Sequence, residues 1–305
     1  MKTIHRFIVL CLCGFCMAGG PLAARAGESN VTAFVGQNNH APSTAGPRYP
    51  AITNKLGMTF VYLPPGRFRM GSPPDDIGHQ ANETRHPVLL TQGFYMLTTE
   101  VTQRQWAAVM GDNPSVFSDC GPDCPVDNVS WNDVVRFVAR LNMLMKKDDG
   151  HLSWITPAGV KNQKNALPLA VPRQYALPTE AQWEYACRAG STGWFYFNGD
   201  IAELGDYAWF QGNAEGTPHP VATRKANLSG LYDMHGNVWE WCRDIAGPYP
   251  AGAAVDPVGP ARGDFRVVRG GSWYYPALEA RAANRFYLLP GTRNYNVGCR
   301  LALIP

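Results

Sequence analysis

The sequence predicts a mixed domain of helices and strands, with many turns and little regular helix. The 305 residues include 31 Gly and 25 Pro, spread along the chain. They also include 9 Trp, 13 Tyr and 13 Phe, an aromatic content that disordered chains lack. Helical signals occur only in the first two thirds of the chain, and short aromatic strands separated by turns follow. No repeat and no strong linker divides the sequence, which favours a single domain.

The first 26 residues have the pattern of a secretory signal peptide. Lys2, His5 and Arg6 give a basic start, residues 7–18 are apolar, and Ala24-Arg25-Ala26 supplies small residues for cleavage. A membrane anchor is the alternative, but a spanning helix needs roughly 20 apolar residues. We therefore expect a periplasmic or secreted protein, with residues 27–54 as a flexible leader and residues 55–305 as the folded domain.

The charge of the mature chain is balanced. Removal of Lys2, Arg6 and Arg25 with the signal leaves 24 basic and 24 acidic residues. No basic run is present, so the composition predicts neither nucleic-acid binding nor, after signal removal, membrane binding.

Two strand pairs are expected near the start of the domain. "MTFVYLPPGRFRMGS" alternates apolar residues around a Pro-Pro-Gly turn, which predicts a hairpin. "VLLTQGFYMLTTEVT" predicts a second pair of strands. Residues 146–172 are polar and mixed, and they indicate an irregular surface insertion.

Cap signals indicate the helices. Thr102 with Gln105 marks one helix start, and Thr179 with Gln182 forms a capping box for another that Gly190 ends. A helix between these two begins at Ser130 or Asn132. Its apolar stripe consists of Val134, Phe137, Val138, Leu141 and Leu144.

Five cysteines follow the signal segment. Cys120 and Cys124 bracket a tight Gly-Pro-Asp turn, and a local disulfide is our leading interpretation because disulfides persist outside the cytosol. A redox pair or half of a zinc site are the alternatives. Cys187, Cys242 and Cys299 remain, and the odd count leaves at least one thiol unpaired.

Several ordered blocks carry a family resemblance. They are "GMTFVYLPPGRFRMGS", "GFYMLTTEVTQRQW", "PVDNVSWNDVVRF", "LPTEAQWEYACRAG", "GLYDMHGNVWEWCRD", "RVVRGGSW" and "VGCRLAL". Together, from about Gly57 to Leu303, they resemble the formylglycine-generating enzyme family, also called the sulfatase-modifying-factor domain. The resemblance implies a single compact α+β domain with a variant C-type-lectin-like fold and low regular secondary structure.

The resemblance also implies a calcium site. In the family, the block that reads "GNVWEW" here surrounds a calcium ion, which takes carboxylate and carbonyl oxygens. By position, Asp233 and Glu240 would supply side-chain oxygens, and Gly236 and Val238 backbone oxygens. The alternative is that Glu240 is a buried acid paired with an arginine. Trp239 and Trp241 are expected to pack on alternate sides of their strand.

The resemblance fails at the family's copper site. Family members that convert cysteine to formylglycine hold copper(I) with two cysteines shortly after the Gly-Gly-Ser turn, because this soft metal prefers sulfur. Here Tyr275 and Ala280 occupy the corresponding places, and no cysteine occurs between Arg243 and Gly298. Copper is therefore not expected.

A groove beside the Gly-Gly-Ser turn is the remaining candidate site. Ser272 offers a hydroxyl, Trp273 and Tyr275 (with Tyr274 between them) offer aromatic walls, and Arg281 and Arg285 could bind a carboxylate or a peptide backbone. Structural roles for the arginines are the alternative. The leading interpretation is an exported protein that resembles an oxidative protein-maturation factor but lacks its copper cysteines. The rivals are other oxidative maturation, such as that of the siderophore pyoverdine, and a non-catalytic lectin-like binding module.

Overall fold

The structure is a computed structural model that describes residues 49–146, 153–155, 174–197 and 199–304. The expected signal peptide and the leader up to residue 48 lie outside the described residues, as does most of the insertion expected between residues 146 and 172. From residue 49 onward, the described residues belong to one compact unit.

Three β-sheets organise the described part of the chain. The largest has six antiparallel strands, in the order β6 (Ser153–Ile155), β1 (Ala51–Thr53), β2 (Thr59–Leu63), β5 (Phe94–Leu97), β13 (Ala302–Ile304) and β7 (Gln174–Ala176). The second has the order β11 (Phe286–Leu288), β10 (Arg266–Arg269), β8 (Trp239–Ile245) and β12 (Val297–Gly298). The third joins β3 (Gly66–Met70), β4 (His86–Leu90) and β9 (Ala254–Val255).

The C-terminal end of the predicted leader, residues 27–54, overlaps the first strand of the folded domain. Residues 51–53 form β1, which pairs with β2 and with β6. Ala51 and Ile52 are fully buried, so these residues belong to the core of the domain. Strand β6 likewise places a regular element inside the segment that was expected to be an irregular insertion.

Both expected strand pairings are wrong, although all four strands exist. β2 pairs with β1 and β5, whereas β3 pairs with β4, so the Pro64-Pro65 corner carries the chain from one sheet to another. In the same way, β4 and β5 lie in different sheets. Alternating apolar residues define a strand locally, but its partner depends on distant segments of the chain.

The helix predictions are confirmed. α1 (Gln103–Met110) and α3 (Glu180–Arg188) begin with capping boxes at Thr102 and Thr179. α2 (Trp131–Lys146) begins after Ser130, whose hydroxyl accepts a hydrogen bond from the Asp133 N–H. Its stripe is buried at Val134, Phe137 and Leu141, whereas Leu144, expected in the core, is exposed. No described helix is both long and apolar enough to cross a bilayer.

Strand β8 connects the core to the candidate site. Trp239 and Trp241 pack into the same hydrophobic cluster, together with Phe60 and Trp106, rather than on opposite sides of the strand. The expectation was wrong because residues two apart in a strand point to the same face. Between them, Glu240 points away from this cluster toward Arg300 and Trp183.

Candidate functional site

The Gly-Gly-Ser turn directly follows β10. Gly270 and Gly271 have φ values of 100° and 79°, in the left-handed region that favours glycine. A Cβ on Gly271 would come within 2.9 Å of the Ala280 Cα and the Glu279 carbonyl oxygen. The turn therefore requires glycine, and it holds the following aromatic residues against the segment around residue 280.

An aromatic groove lies beside this turn. We use this name for a cavity of about 470 Å³ that is lined by Val116, Phe117, Gln211, Gly216, Trp273, Tyr274 and Tyr295. The ring centroids of Trp273 lie 5.2 Å from Phe117 and 5.7 Å from Tyr295, and those of Tyr274 and Tyr295 lie 5.8 Å apart. The rings support one another, so the groove wall is preorganised.

A buried carboxylate supports one wall of the aromatic groove. Asp127 accepts the backbone N–H of Val116 at 2.7 Å and that of Phe117 at 3.4 Å. Burial raises the pKa of Asp127 to about 6, although both N–H groups favour the charged form. This positioning residue was not among the sequence candidates. The sequence indicates Asp127 only as an acidic residue that lies between the apolar Val126 and Val129.

Of the sequence candidates, Trp273 and Tyr274 line the aromatic groove, whereas Ser272, Tyr275 and the two arginines do not. Ser272 is buried, and its hydroxyl accepts hydrogen bonds from the Tyr274 N–H and the Asn296 amide, each at 3.3 Å. Tyr275 is half-buried, and its ring contacts Trp239 and Tyr274. Burial raises the pKa of the Tyr275 hydroxyl. Ser272 and Tyr275 therefore hold the turn in place.

The two arginine candidates lie in buried ion pairs away from the aromatic groove. Arg281 donates to both carboxylate oxygens of Glu83, at 2.8 Å each, and also to the Gly78 carbonyl. Arg285 donates to both oxygens of Glu180, at 2.6 and 2.7 Å. Both guanidinium groups are occupied by protein acceptors, which matches the structural alternative.

Cysteine positions argue against thiol chemistry in this region. Tyr275 and Ala280 stand where the resemblance places the copper ligands. Cys187, Cys242 and Cys299 are free and fully buried, and burial raises the pKa of each thiol. A buried thiol of raised pKa is a poor nucleophile and metal ligand. Cys120 and Cys124 are joined by a disulfide.

The residues of the expected calcium site differ in what they can still bind. Asp233 is buried, its Oδ2 accepts the Ala222 N–H at 2.7 Å, and its Oδ1 has no hydrogen-bond partner. Glu240 is fully engaged, because its oxygens accept from Arg300 at 2.8 to 3.0 Å and from the Trp183 indole at 2.6 Å. The arginine alternative for Glu240 thus matches the geometry, whereas Asp233 retains a free oxygen.

A third buried acid, Glu100, completes this region and was missed from the sequence. It accepts from the Val238 N–H at 3.3 Å and the Asn237 amide at 3.2 Å. Burial raises its pKa well above the ordinary value, and the charges of Asp233 and Glu240 raise it further. Among the described residues, Arg300 is the cation that lowers the pKa of Glu100, so three carboxyl groups share one positive charge. In the sequence, Glu100 is marked only as an acidic residue between the buried strand β5 and the buried Val101.

The oxygen donors of this region fit a hard cation only in part. Among the described residues, no three His, Cys, Asp or Glu side chains converge in an arrangement that could hold a metal ion. The free Oδ1 of Asp233 and the nearby carboxyl group of Glu100 are oxygen donors of the kind that calcium accepts, together with backbone carbonyls. The side chain of Glu240 does not fit, because Arg300 and Trp183 occupy it.

His235, which was not selected as a site residue, has a structural position. Its Nδ1 donates to the Ala280 carbonyl at 2.6 Å, and its Nε2 accepts the Tyr196 N–H at 3.1 Å. Burial lowers the pKa of His235 to about 3, so the ring is neutral at pH 7. The imidazole joins the "GNVWEW" block to the segment after the Gly-Gly-Ser turn.

Comparisons with known proteins agree with the fold. The sequence profile described as "Sulfatase-modifying factor enzyme 1-like domain" matches residues 49–304. Treponema denticola variable protein 1 superimposes with a TM-score of 0.68 and 31% identity, over 81% of this chain and 95% of the other. PvdO from Pseudomonas aeruginosa superimposes with a TM-score of 0.64 and 26% identity, over 82% of this chain and 96% of the other.

Three curated relatives of this chain are named as a chaperone, as a formylglycine-generating enzyme and as an inactive enzyme of the same kind. The chaperone protein LppX of Paenibacillus barcinonensis is 34% identical over 49% of this chain and 61% of its own length. The formylglycine-generating enzyme of Streptomyces coelicolor is 33% identical over 59% and 53%. The inactive Cα-formylglycine-generating enzyme 2 of Bos taurus is 28% identical over 84% and 91%.

The chain spans less than two thirds of the length of the first curated relatives that it matches, 61% of LppX and 53% of the Streptomyces enzyme. The family profile nevertheless covers nearly all of the described residues, and the sheets, the few helices and the Gly-Gly-Ser turn have the C-type-lectin-like architecture of these neighbours. The chain therefore belongs to the formylglycine-generating enzyme, or sulfatase-modifying factor, family.

Proposed function

We propose that this protein is an exported, non-oxidising member of its family that binds an extended peptide segment in the aromatic groove. The observation that carries the proposal is the exchange of residue types around the Gly-Gly-Ser turn. Tyr275 and Ala280 replace the two sulfur ligands of the resemblance, while Phe117, Trp273 and Tyr295 form an apolar wall beside them.

The aromatic groove suits a peptide that carries an apolar or aromatic side chain. Stacked and edge-on ring contacts contribute about 0.5–1.5 kcal/mol each beyond burial of the apolar area. The exposed amide of Gln211 at the groove offers both a donor and an acceptor to a peptide backbone. The names of the enzyme relatives, which describe proteins that form formylglycine, support a peptide rather than a small sugar.

A second candidate is oxidative maturation of a siderophore peptide. The superposition on PvdO over 82% of this chain favours it. The two candidates differ in outcome, because maturation changes the covalent structure of the bound peptide and binding alone leaves it intact.

The binding proposal is tested by calorimetric titration with a decapeptide that has a central Phe and with its central-Gly counterpart. We expect the Phe peptide to bind at least tenfold more tightly. A Trp273→Ala or Tyr274→Ala variant should remove this preference, and Phe265→Ala, an exposed aromatic residue outside the aromatic groove, should retain it. Equal affinity of both peptides for the wild-type protein would contradict the proposal.

The absence of cysteine oxidation is tested separately by mass spectrometry. A sulfatase-type cysteine peptide is incubated with the protein, copper and a reductant. We expect no conversion to formylglycine, because a phenol with a pKa near 10 is a poor ligand for copper(I) at neutral pH. A protein-dependent loss of mass that matches the aldehyde would restore the oxidative function, and a mass change in a siderophore peptide would favour the second candidate.

Export and calcium belong to the same proposal. The Cys120–Cys124 disulfide supports an oxidising compartment outside the cytosol. The free Oδ1 of Asp233, the buried carboxyl group of Glu100 and the backbone oxygens of Gly236 and Val238 that the family resemblance implies support a structural calcium ion. Calcium would neutralise the buried acids and stabilise the loop that precedes β8. N-terminal sequencing of exported material tests the proposed export, and an intact Met1 would contradict removal of a signal peptide.

A further inference from the structure

A second cavity, which we call the arginine pocket, lies between β3 of the three-stranded sheet and the C-terminal end of α3. Its volume is about 480 Å³, and its walls include Arg67, Arg69 and Arg85 together with Tyr185 and Ser229. Among the residues that the structure describes, no acidic one lines it. This volume falls in the range of small-molecule sites, which is about 300–1,000 Å³.

The strand register explains why the three arginines cluster. Arg67 and Arg69 are two residues apart on β3, so their side chains leave the same face. Arg69 pairs with Pro87 of β4, and Arg85 precedes Pro87 by two residues, which places it diagonally beside Arg69. The alternation of the hairpin therefore directs three positive charges to one surface.

These arginines have no internal counter-charge. Within the described ranges, Arg67, Arg69 and Arg85 form neither an ion pair nor a side-chain hydrogen bond, and all three are exposed. Arg188, which lines the same pocket, is by contrast occupied by Glu184 and by the carbonyls of Gly71 and Gly193. Neighbouring like charges repel, and a bound anion would relieve that repulsion.

Two further groups point to a ligand. Ser229 is 4% exposed, yet its hydroxyl forms no hydrogen bond among the described residues. Tyr185 of α3 lines the pocket and gives it an aromatic side, and its ring is supported by the Phe68 ring with centroids 5.4 Å apart. The pocket therefore combines guanidinium forks, a free hydroxyl and an aromatic wall.

We propose that the arginine pocket binds an organic phosphate or sulfate ester. Guanidinium groups pair with the oxygens of such tetrahedral anions through two parallel hydrogen bonds. The aromatic side would contact the organic part of the ester, and the Ser229 hydroxyl would donate to an anion oxygen. This site is separate from the aromatic groove, because the two cavities share no lining residue.

The test is calorimetric titration of the full chain with phenyl phosphate and phenyl sulfate at low ionic strength. We expect saturable binding of at least one ester and at least tenfold weaker binding to the Arg67→Gln/Arg69→Gln double variant. Arg104→Gln is the matched control, since this arginine is exposed and pairs with Asp123 elsewhere. The Arg104→Gln variant should bind the esters as tightly as the wild type does, and added salt should weaken ester binding by both proteins.

The pH dependence separates the two esters. The second pKa of a phosphate monoester is near 6, so binding that requires the dianion should strengthen between about pH 5.5 and 7.5, whereas sulfate binding should not change. Trp273→Ala, which alters only the aromatic groove, should leave ester binding intact, so this proposal can fail independently of the proposed peptide function. Absence of saturable binding by both esters, or unchanged affinity in a folded double variant, would overturn it.

Discussion

Arg285 and Glu180 form a doubly hydrogen-bonded ion pair that joins residues 105 positions apart in the sequence. Both side chains are almost completely buried. Arg285 also donates to the carbonyls of Asn82 and Gly247, and its guanidinium carbon lies 3.8 Å from the Tyr249 ring centroid. One side chain thus connects the start of α3, the loop before β4 and the segment after β8.

Removal of one partner of this pair should strongly destabilise the protein. Glu180→Gln leaves the buried charge of Arg285 uncompensated, and we expect a loss of about 3–5 kcal/mol in the free energy of unfolding. Chemical denaturation measures the change. The control is Asp123→Asn, which breaks the exposed pair with Arg104, with 62% and 66% side-chain exposure, and should cost no more than about 1 kcal/mol. Equal effects of the two substitutions would contradict the interpretation.

His235 should contribute to stability through its two backbone hydrogen bonds. His235→Ala leaves the Ala280 carbonyl and the Tyr196 N–H unsatisfied, at about 1–3 kcal/mol for each group. His219→Ala, at a half-buried position with one imidazole bond to Ala214, should cost less. Denaturation curves check both variants, and a His235→Ala protein as stable as the wild type would show that the contacts are dispensable.

Asp244 should make the protein less stable as the pH rises through neutrality. Burial, together with the charge of Glu180, raises the pKa of Asp244 to about 7. A carboxyl whose folded pKa lies above its unfolded value binds more protons in the folded state, so its contribution to stability falls between about pH 4 and pH 7.

Asp244→Asn tests this dependence, because the amide oxygen can still accept the Glu180 N–H that Asp244 Oδ2 accepts at 2.9 Å. Denaturation at pH 5 and pH 8 should show a smaller difference for the variant than for the wild type. The same pH difference in both proteins would exclude Asp244 as its source.

Calcium should raise the melting temperature through Asp233. Binding to the folded state alone stabilises by about 2.7 kcal/mol at a hundredfold excess over the dissociation constant. We expect a chelator to lower the melting temperature of the wild type but not that of Asp233→Ala. Asp256→Ala is the matched control, since Asp256 also has a positive φ, 43° against 56°, and also accepts a backbone N–H. A chelator effect that survives in Asp233→Ala would place the ion elsewhere.

Local features of this protein could be predicted from its sequence. Thr102 and Thr179 cap their helices as expected, because a capping box involves residues only three positions apart. The pairing of β2 and β3 could not be predicted, since their partners β5 and β4 are chosen by the packing of whole sheets.

The candidate site likewise combines residues whose position the sequence predicted with residues whose partners it did not predict. Trp273 lies in the aromatic groove, as the motif indicated, but Arg281 and Arg285 find their partners at Glu83 and Glu180, far away in the sequence. The four-residue spacing of the two arginines therefore did not predict their ion-pair partners. Glu100 was missed for a related reason, because its significance arises from the charges of Asp233 and Glu240 that the fold brings near it.

The position of β13 has a consequence for how far the effect of a substitution reaches. This strand, residues 302–304, lies between β5 and β7 in the six-stranded sheet, so β7 is joined to the sheet only through β13 among the described strands, whereas β5 also pairs with β2. Arg300, just before β13, is also the partner of Glu240. One short segment, residues 300–304, thus both attaches β7 to the sheet and supplies the buried counter-charge of Glu240, so a single substitution there would disturb two distant parts of the domain.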